Sequence, residues 1–199
     1  MAEKRLSSKR SAKSRAAKGG IKRIGWDEYF LLLAKLAACR STCLSRPTGA
    51  VIVRSRQVMA TGYNGSIPGA AHCIDDGICY RRRVGATDAE KLAWCRASHA
   101  EANAIAQAAR AGILIEGSTL YTTLSPCFTC VKLIASAGIK RVVYEHLYES
   151  ANIARDRHWA DALREAGIEA VHLRLSTEAI ERACESLAGE TSKRRLKSE

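Results

Sequence analysis

The sequence predicts an α/β fold, a mixed sheet covered by helices on both faces. Three observations carry this. Gly49 to Val53 and Gln57 to Gly62 are β-rich runs around a short polar turn, Arg54-Ser55-Arg56, and read as a hairpin. Downstream, strand-like and helix-like segments alternate. Gly112, Gly138 and Gly167 each stand where a helical segment should stop.

The elements follow in order. Residues 1–23 hold nine Lys or Arg and one Glu, so they carry +8 of the net +12. They lack a hydrophobic face and are expected to be a disordered arm. A solubilising extension is the plainer reading of it; contact with nucleic-acid phosphates is the alternative. Residues 24–188 form the expected domain, and residues 189–199 a charged tail. Trp26 to Leu44 is expected to be an amphipathic helix, with Trp26, Phe30, Leu33 and Ala37 on one stripe and Asp27 and Glu28 complementing the dipole at its start. After the hairpin comes Gly62-Tyr63-Asn64-Gly65-Ser66, where glycines permit close backbone approach and Asn64 offers both donor and acceptor. Residues 67–95 are an insertion without periodicity. The spacing then predicts a helix over 99–111, a strand over 118–122, a helix over 127–137, a strand over 140–144, a helix over 152–166, a strand over 168–173 and a helix over 176–187. Cys184, alone on that last helix, is expected to be buried and inert.

Composition narrows the function classes. Hydrophobic residues make up 47% of the 199, enough for a core in one domain. No apolar run approaches the roughly 20 residues that span a bilayer, and the basic N-terminus lacks the apolar region of a secretory signal. Eight cysteines, grouped with His and Glu, argue for metal and a reducing compartment rather than a disulfide scaffold. A cytoplasmic, non-membrane protein is expected.

The chemistry concentrates in His99-Ala100-Glu101 and, after 24 intervening residues, Pro126-Cys127-Phe128-Thr129-Cys130. His99, Cys127 and Cys130 are suited to zinc. Three protein ligands leave a fourth position for water and can bring that water's pKa to about 7. Glu101 is not needed as a ligand and can shuttle the proton to a ring nitrogen and then to a leaving amine. Cys127 and Cys130, three apart, share a helix face, and Pro126 suits a helix start. His99 and Glu101, two apart, converge only if His99 stands at the helix start, with Ser98 as the expected cap. Two helix N-termini would then favour the hydroxide and thiolates. A lone C-x-x-C is as common in structural zinc sites; the paired pattern resembles the signature of zinc deaminases.

The insertion carries His72, Cys73, Cys79, Cys95 and Arg81-Arg82-Arg83. Cysteines at this density suggest a second, closed zinc site on Cys43, Cys73, Cys79 and Cys95, with His72 in reserve; unliganded thiols are the alternative. The arginines read either as a solvated face or as a contact for phosphates.

These motifs resemble the deoxycytidylate (dCMP) deaminase family, within the cytidine-deaminase superfamily, and its bacterial late-competence members. The resemblance covers about residues 24–175. It rests on Ser41-Thr42-Cys43, Gly62 to Ser66, His72-Cys73, His99 to Ile105, Leu120 to Cys130 and Gly138 to Tyr144. It implies a three-layer cytidine-deaminase-like sheet and hydrolysis of dCMP to dUMP and ammonia, feeding thymidylate synthesis. It implies a catalytic zinc on His99, Cys127 and Cys130, Glu101 as proton shuttle, nucleotide contacts from Asn64, Ser66 and the Ala100 backbone, and often a second zinc. Arg46, Tyr148 and Arg110 are its candidates for the substrate phosphate. It further implies a homo-oligomer, commonly a hexamer, activated by dCTP and inhibited by dTTP, with magnesium accompanying the allosteric nucleotide. Arg46-Pro47-Thr48, the long charged insertion and the basic arm depart from the family pattern. Two rival readings share the zinc residues: deamination of the wobble adenosine of tRNA, and a zinc-stabilised nucleic-acid-binding module without catalysis.

Overall fold

The computed structural model of the chain describes residues 23–87, 90, 93–148 and 153–188. The basic arm, apart from Arg23, and the tail from residue 189 lie outside the described residues. The elements are α1 (Trp26–Ala38), β1 (Gly49–Arg54), β2 (Gln57–Tyr63), β3 (Gly65–Ser66), α2 (Cys73–Asp76), α3 (Tyr80–Arg83), β4 (Ala97–Ser98), α4 (Ala100–Arg110), β5 (Thr119–Leu124), α5 (Phe128–Ser136), β6 (Arg141–His146), α6 (Ile153–Glu165), β7 (Glu169–His172) and α7 (Thr177–Ala188).

The main sheet runs β2-β1-β5-β6-β7. β1 is antiparallel to both β2 and β5, whereas β5–β6 and β6–β7 are parallel. The mixed α/β sheet is therefore as expected. Its strands alternate faces, and both faces are buried. Ala50, Ile52, Leu120 and Val142 join Ala100, Ala104, Val131 and Ile134 of α4 and α5 in one core. Val51, Val53, Tyr121 and Val143 join Phe30 and Ala34 of α1 in the other. A sheet covered on both sides needs continuous rather than alternating apolar runs, which Gly49 to Val53 provides. Each large side chain buried here contributes about 1.5–3 kcal/mol.

Glycines set the helix spacing at two places. A Cβ on Gly49 would lie 2.0 Å from the Ala34 carbonyl oxygen, and one on Gly62 would lie 2.2 Å from that of Ala100. Only a residue without a side chain lets α1 and α4 settle this closely on the hairpin. The hairpin turn itself places Ser55 (φ 51°) and Arg56 (φ 63°) in the left-handed region, the backbone shape that joins two twisted strands through two residues.

α1 is pinned to the sheet by polar contacts as well. Arg141 on β6 donates two hydrogen bonds of 2.8 Å to Asp27, and the Tyr121 hydroxyl donates a third of 2.7 Å. Arg141, with Tyr121, holds the Asp27 carboxyl below its ordinary pKa against the cost of burial. Asp27 thus ties helix to sheet in addition to facing the helix dipole.

Four expectations are corrected. α1 stops at Ala38 rather than Leu44. Beyond it the Ser41 hydroxyl donates to the Asn64 side-chain oxygen (2.6 Å), and the Thr42 amide donates to the Asn64 carbonyl (3.3 Å), bending the chain off the helix. The cap of α4 is His99 itself, not Ser98, which pairs in β4 with Gly65. The insertion is not wholly irregular: it forms two single helical turns, α2 and α3, before β4. Cys184 is exposed on α7, whose buried contact is made by Ala179. Among the described residues, no helix is long and apolar enough to cross a membrane.

Candidate active site

Two short breaks in the backbone build the site. His99 has extended geometry (φ −75°, ψ 156°) just before α4, and Cys127 has it (φ −74°, ψ 166°) just before α5. In each case a donor occupies the cap position and a second functional side chain, Glu101 or Cys130, follows in the first turn. Helix geometry alone would separate residues two apart; the break at His99 lets His99 and Glu101 converge. The positive ends of α4 and α5 both meet the site, favouring thiolates and developing anions.

His99 Nδ1 lies 3.4 Å from the Cys127 sulfur and 3.4 Å from the Cys130 sulfur. Tetrahedral zinc, with bonds of about 2.3 Å to sulfur and 2.0–2.1 Å to nitrogen, sets nitrogen and sulfur ligands about 3.6 Å apart. The three donors therefore fit zinc in spacing and in chemistry, and Nδ1 is the nitrogen turned toward it. Among the described residues this is the grouping of three or more donors that could hold a metal.

The protonation pattern suits that role. The hydrogen bond from Cys130, aided by His99, holds the Cys127 thiol down to about 4 despite burial. The same bond, with burial, pushes Cys130 up, so the pair holds one proton on Cys130. The hydrogen bond to Cys127 outweighs desolvation and raises His99. Glu101 is 4% exposed, and burial pushes its carboxyl up to about 7 against the pull of His99. A cation on the three donors would draw it down again.

His99, Cys127 and Glu101 line an open cleft of about 410 Å³, with Cys130 buried behind them, within the range of small-molecule sites. Asn64, Arg46, Tyr148 and Ala100 line it together with Ser125, Arg81 and Arg82. Asn64 organises the wall. Its side-chain oxygen accepts from the Thr48 amide (2.8 Å) and the Ser41 hydroxyl (2.6 Å), and its amide nitrogen donates to the Arg46 carbonyl (2.9 Å). The Arg46 guanidinium lies over the Tyr148 ring at 4.9 Å, and the Tyr148 amide donates to the Ser125 hydroxyl at 2.8 Å.

The comparisons with known proteins agree with this geometry. Residues 24–146 match the family described as the cytidine and deoxycytidylate deaminase zinc-binding region. The chain belongs to the cytidine and deoxycytidylate deaminase family. This deaminase-family chain is 46% identical over 129 residues to the deoxycytidylate deaminase of Mycobacterium phage D29, covering 62% of this chain and 97% of that one. It is 40% identical over 147 residues to the deoxycytidylate deaminase of Schizosaccharomyces pombe, covering 74% of this chain but only 44% of that longer relative. The dCMP deaminase of cyanophage S-TIM5, crystallised with dCMP and dUMP, superposes with a TM-score of 0.59 at 31% identity, over 73% of this chain and 95% of that one.

The other candidate residues divide. Ser66 is not a lining residue, although Ala97, with which it pairs, is. Arg110 is exposed as the last residue of α4, nine residues beyond Glu101 and so about 14 Å along the helix from the catalytic end. The proposed second-zinc residues do not gather as such. No three of Cys43, His72, Cys73, Cys79 and Cys95 place their ligand atoms within 4.8 Å of one another. Cys79 is instead hydrogen-bonded to Arg81, with Cys43 and Cys95 also in its neighbourhood. Arg81 and Arg82 enter the sequence reading only as part of a triplet that is either a solvated face or a phosphate contact, and Ser125 has no role in it. The arginine triplet was the available signal for the first two, and the motif serine before Pro126 for the third.

Proposed function

We propose that the chain hydrolyses dCMP to dUMP and ammonia. The reading rests chiefly on one observation: the His99, Cys127 and Cys130 donors and the buried Glu101 carboxyl converge at two helix N-termini on the floor of a nucleotide-sized cleft. It is supported by relatives named as deoxycytidylate deaminases and by the phage structure holding dCMP and dUMP.

Zinc on His99 Nδ1, Cys127 and Cys130 would supply activation of water near neutral pH. Glu101 accepts a proton from the attacking water, passes it to the ring nitrogen of the cytosine, and assists its delivery to the departing amine. A carboxyl whose burial brings it toward neutrality serves both directions of transfer. The enclosing hydrophobic core below α4 keeps Glu101 in place, and Asn64 with the Ala100 backbone borders the space for the nucleotide. Atoms balance as dCMP plus water giving dUMP plus ammonia.

The finer features belong to the same proposal. They are a cytoplasmic enzyme supplying dUMP for thymidylate synthesis, a homo-oligomer, and control by dCTP and dTTP with magnesium. All rest on the family resemblance.

The test presents the purified zinc-loaded protein with dCMP, dCTP, deoxycytidine, CMP and a tRNA anticodon stem-loop, with and without added dCTP and dTTP. Fastest turnover of dCMP to dUMP is expected, raised by dCTP and lowered by dTTP. Silence on every mononucleotide, with inosine appearing in the stem-loop, would overturn the assignment.

A further inference from the structure

We infer that Arg81, carried into the cleft by the insertion, reads the 5′-phosphate of the substrate and so sets the preference for nucleotide over nucleoside. This rests on the dCMP reading above. Four observations carry it. Arg81 lies on the cleft lining that also includes the catalytic floor residues His99 and Glu101. Its Nε–H is buried and has no acceptor among the described residues. Its side chain is hydrogen-bonded to Cys79, which anchors it. The lining also holds Arg46 and Arg82, with Glu101 as its one carboxylate, so the cleft away from the catalytic floor is cationic.

In this inference the phosphate falls on the insertion side. The cytosine must reach Glu101 and the His99–Cys127–Cys130 donors at the starts of α4 and α5, so the sugar and phosphate extend away from that floor. There α3 presents Arg81 and Arg82. Of these, Arg82 is exposed and Arg81 half-buried. A partly desolvated guanidinium with a fixed orientation recognises a phosphate more strongly than a solvated one, through charge-assisted hydrogen bonds. The thiols of Cys43, Cys79 and Cys95 then act as the frame that aims Arg81.

The test compares wild type with Arg81→Gln, Arg81→Lys and Arg82→Gln. It measures kcat/KM on dCMP and deoxycytidine, equilibrium binding of dUMP and deoxyuridine by calorimetry, and zinc content. Arg81→Gln should lower the dCMP-over-deoxycytidine ratio about 10- to 100-fold, mainly through KM, and lower the dUMP-over-deoxyuridine binding ratio similarly. Arg81→Lys should recover part of each, and Arg82→Gln should change them less. Unchanged ratios in Arg81→Gln would overturn the inference. So would equal losses on both members of each pair, which mark a structural role through the thiols, or a larger effect at Arg82. Wild type that leaves dCMP intact would refute the dCMP reading itself, and the binding ratios would still judge Arg81.

Discussion

Gly62 on β2 lies directly beneath Ala100, the first residue of α4: a Cβ at Gly62 would sit 2.2 Å from the Ala100 carbonyl oxygen and 2.5 Å from the Ala104 amide. Both obstacles are backbone, so no rotamer change relieves them. Gly62→Ala must therefore push the start of α4 away from the sheet, and His99 and Glu101 travel with it. We expect a loss of about 1–3 kcal/mol in stability and at least a tenfold fall in turnover, since small displacements of reacting groups are costly. Denaturant unfolding beside steady-state kinetics checks both. Wild-type turnover in a destabilised variant would separate the packing from the site.

Glu101 yields a prediction for catalysis and another for stability. Glu101→Gln keeps shape and removes the proton acceptor, so turnover should fall by about 100-fold or more while zinc content stays at the wild-type level. In protein stripped of zinc by chelation, the buried carboxyl has its pKa raised from 4.5 to about 7. Its stability contribution is then fully present below pH 4.5 and is lost as pH rises through 7. Above that, Glu101→Gln should be the more stable stripped protein, by about 3 kcal/mol at most. Urea unfolding at pH 5 and pH 8 reads it. Equal stabilities at pH 8 would show that Glu101 is not desolvated.

The metal centre was legible because its signals are local. His99-x-Glu101 and Pro126-Cys127-x-x-Cys130 each sit within one turn of a helix start, and the spacing of residue types along the chain already encodes their directions. The sheet was legible for the same reason, from apolar runs bounded by turns. Of the cleft wall, Asn64, Ala100, Arg46 and Tyr148 were named through the family resemblance, but the bonds that shape it were not legible. Asn64 has its effect through Ser41, Arg46 and Thr48, partners 16 to 23 residues away, and those long-range bonds also decide where α1 ends. The expected helix ran on to Leu44 because propensity cannot see Asn64. Arg110 was chosen by charge alone, and helix length then carried it to the opposite end of α4. Arg81 needed a fold in the insertion, α3, that no periodicity announced.

Zinc content follows from the donor geometry. With one three-donor set among the described residues, wild type dialysed against a weak chelator should retain about one zinc per chain, and Cys127→Ser should retain almost none. Metal analysis by mass spectrometry decides. Two zinc ions per chain, falling to one in Cys79→Ser, would instead mean that Cys43, Cys79 and Cys95 close around a metal and that Arg81 is displaced from among them.

A last prediction concerns the brace behind the site. Lys35 on α1 meets Glu145 on β6 at 2.5 Å, with the Lys35 side chain 36% exposed and that of Glu145 4% exposed. The His146 ring nitrogen stands 3.4 Å from the same carboxylate, and the Glu145 carbonyl faces His172 at 2.9 Å. Removing only the cation strands a buried carboxylate. Lys35→Met should cost about 2 kcal/mol, less than the roughly 3–5 kcal/mol of a fully buried pair because Lys35 keeps contact with water. Lys35→Met with Glu145→Gln removes both charges and should recover most of the loss. The brace lies on the α1 face of the sheet, opposite α4, so zinc content should not change in either variant. A double variant no more stable than the single would mean that the loss does not come from the stranded Glu145 charge.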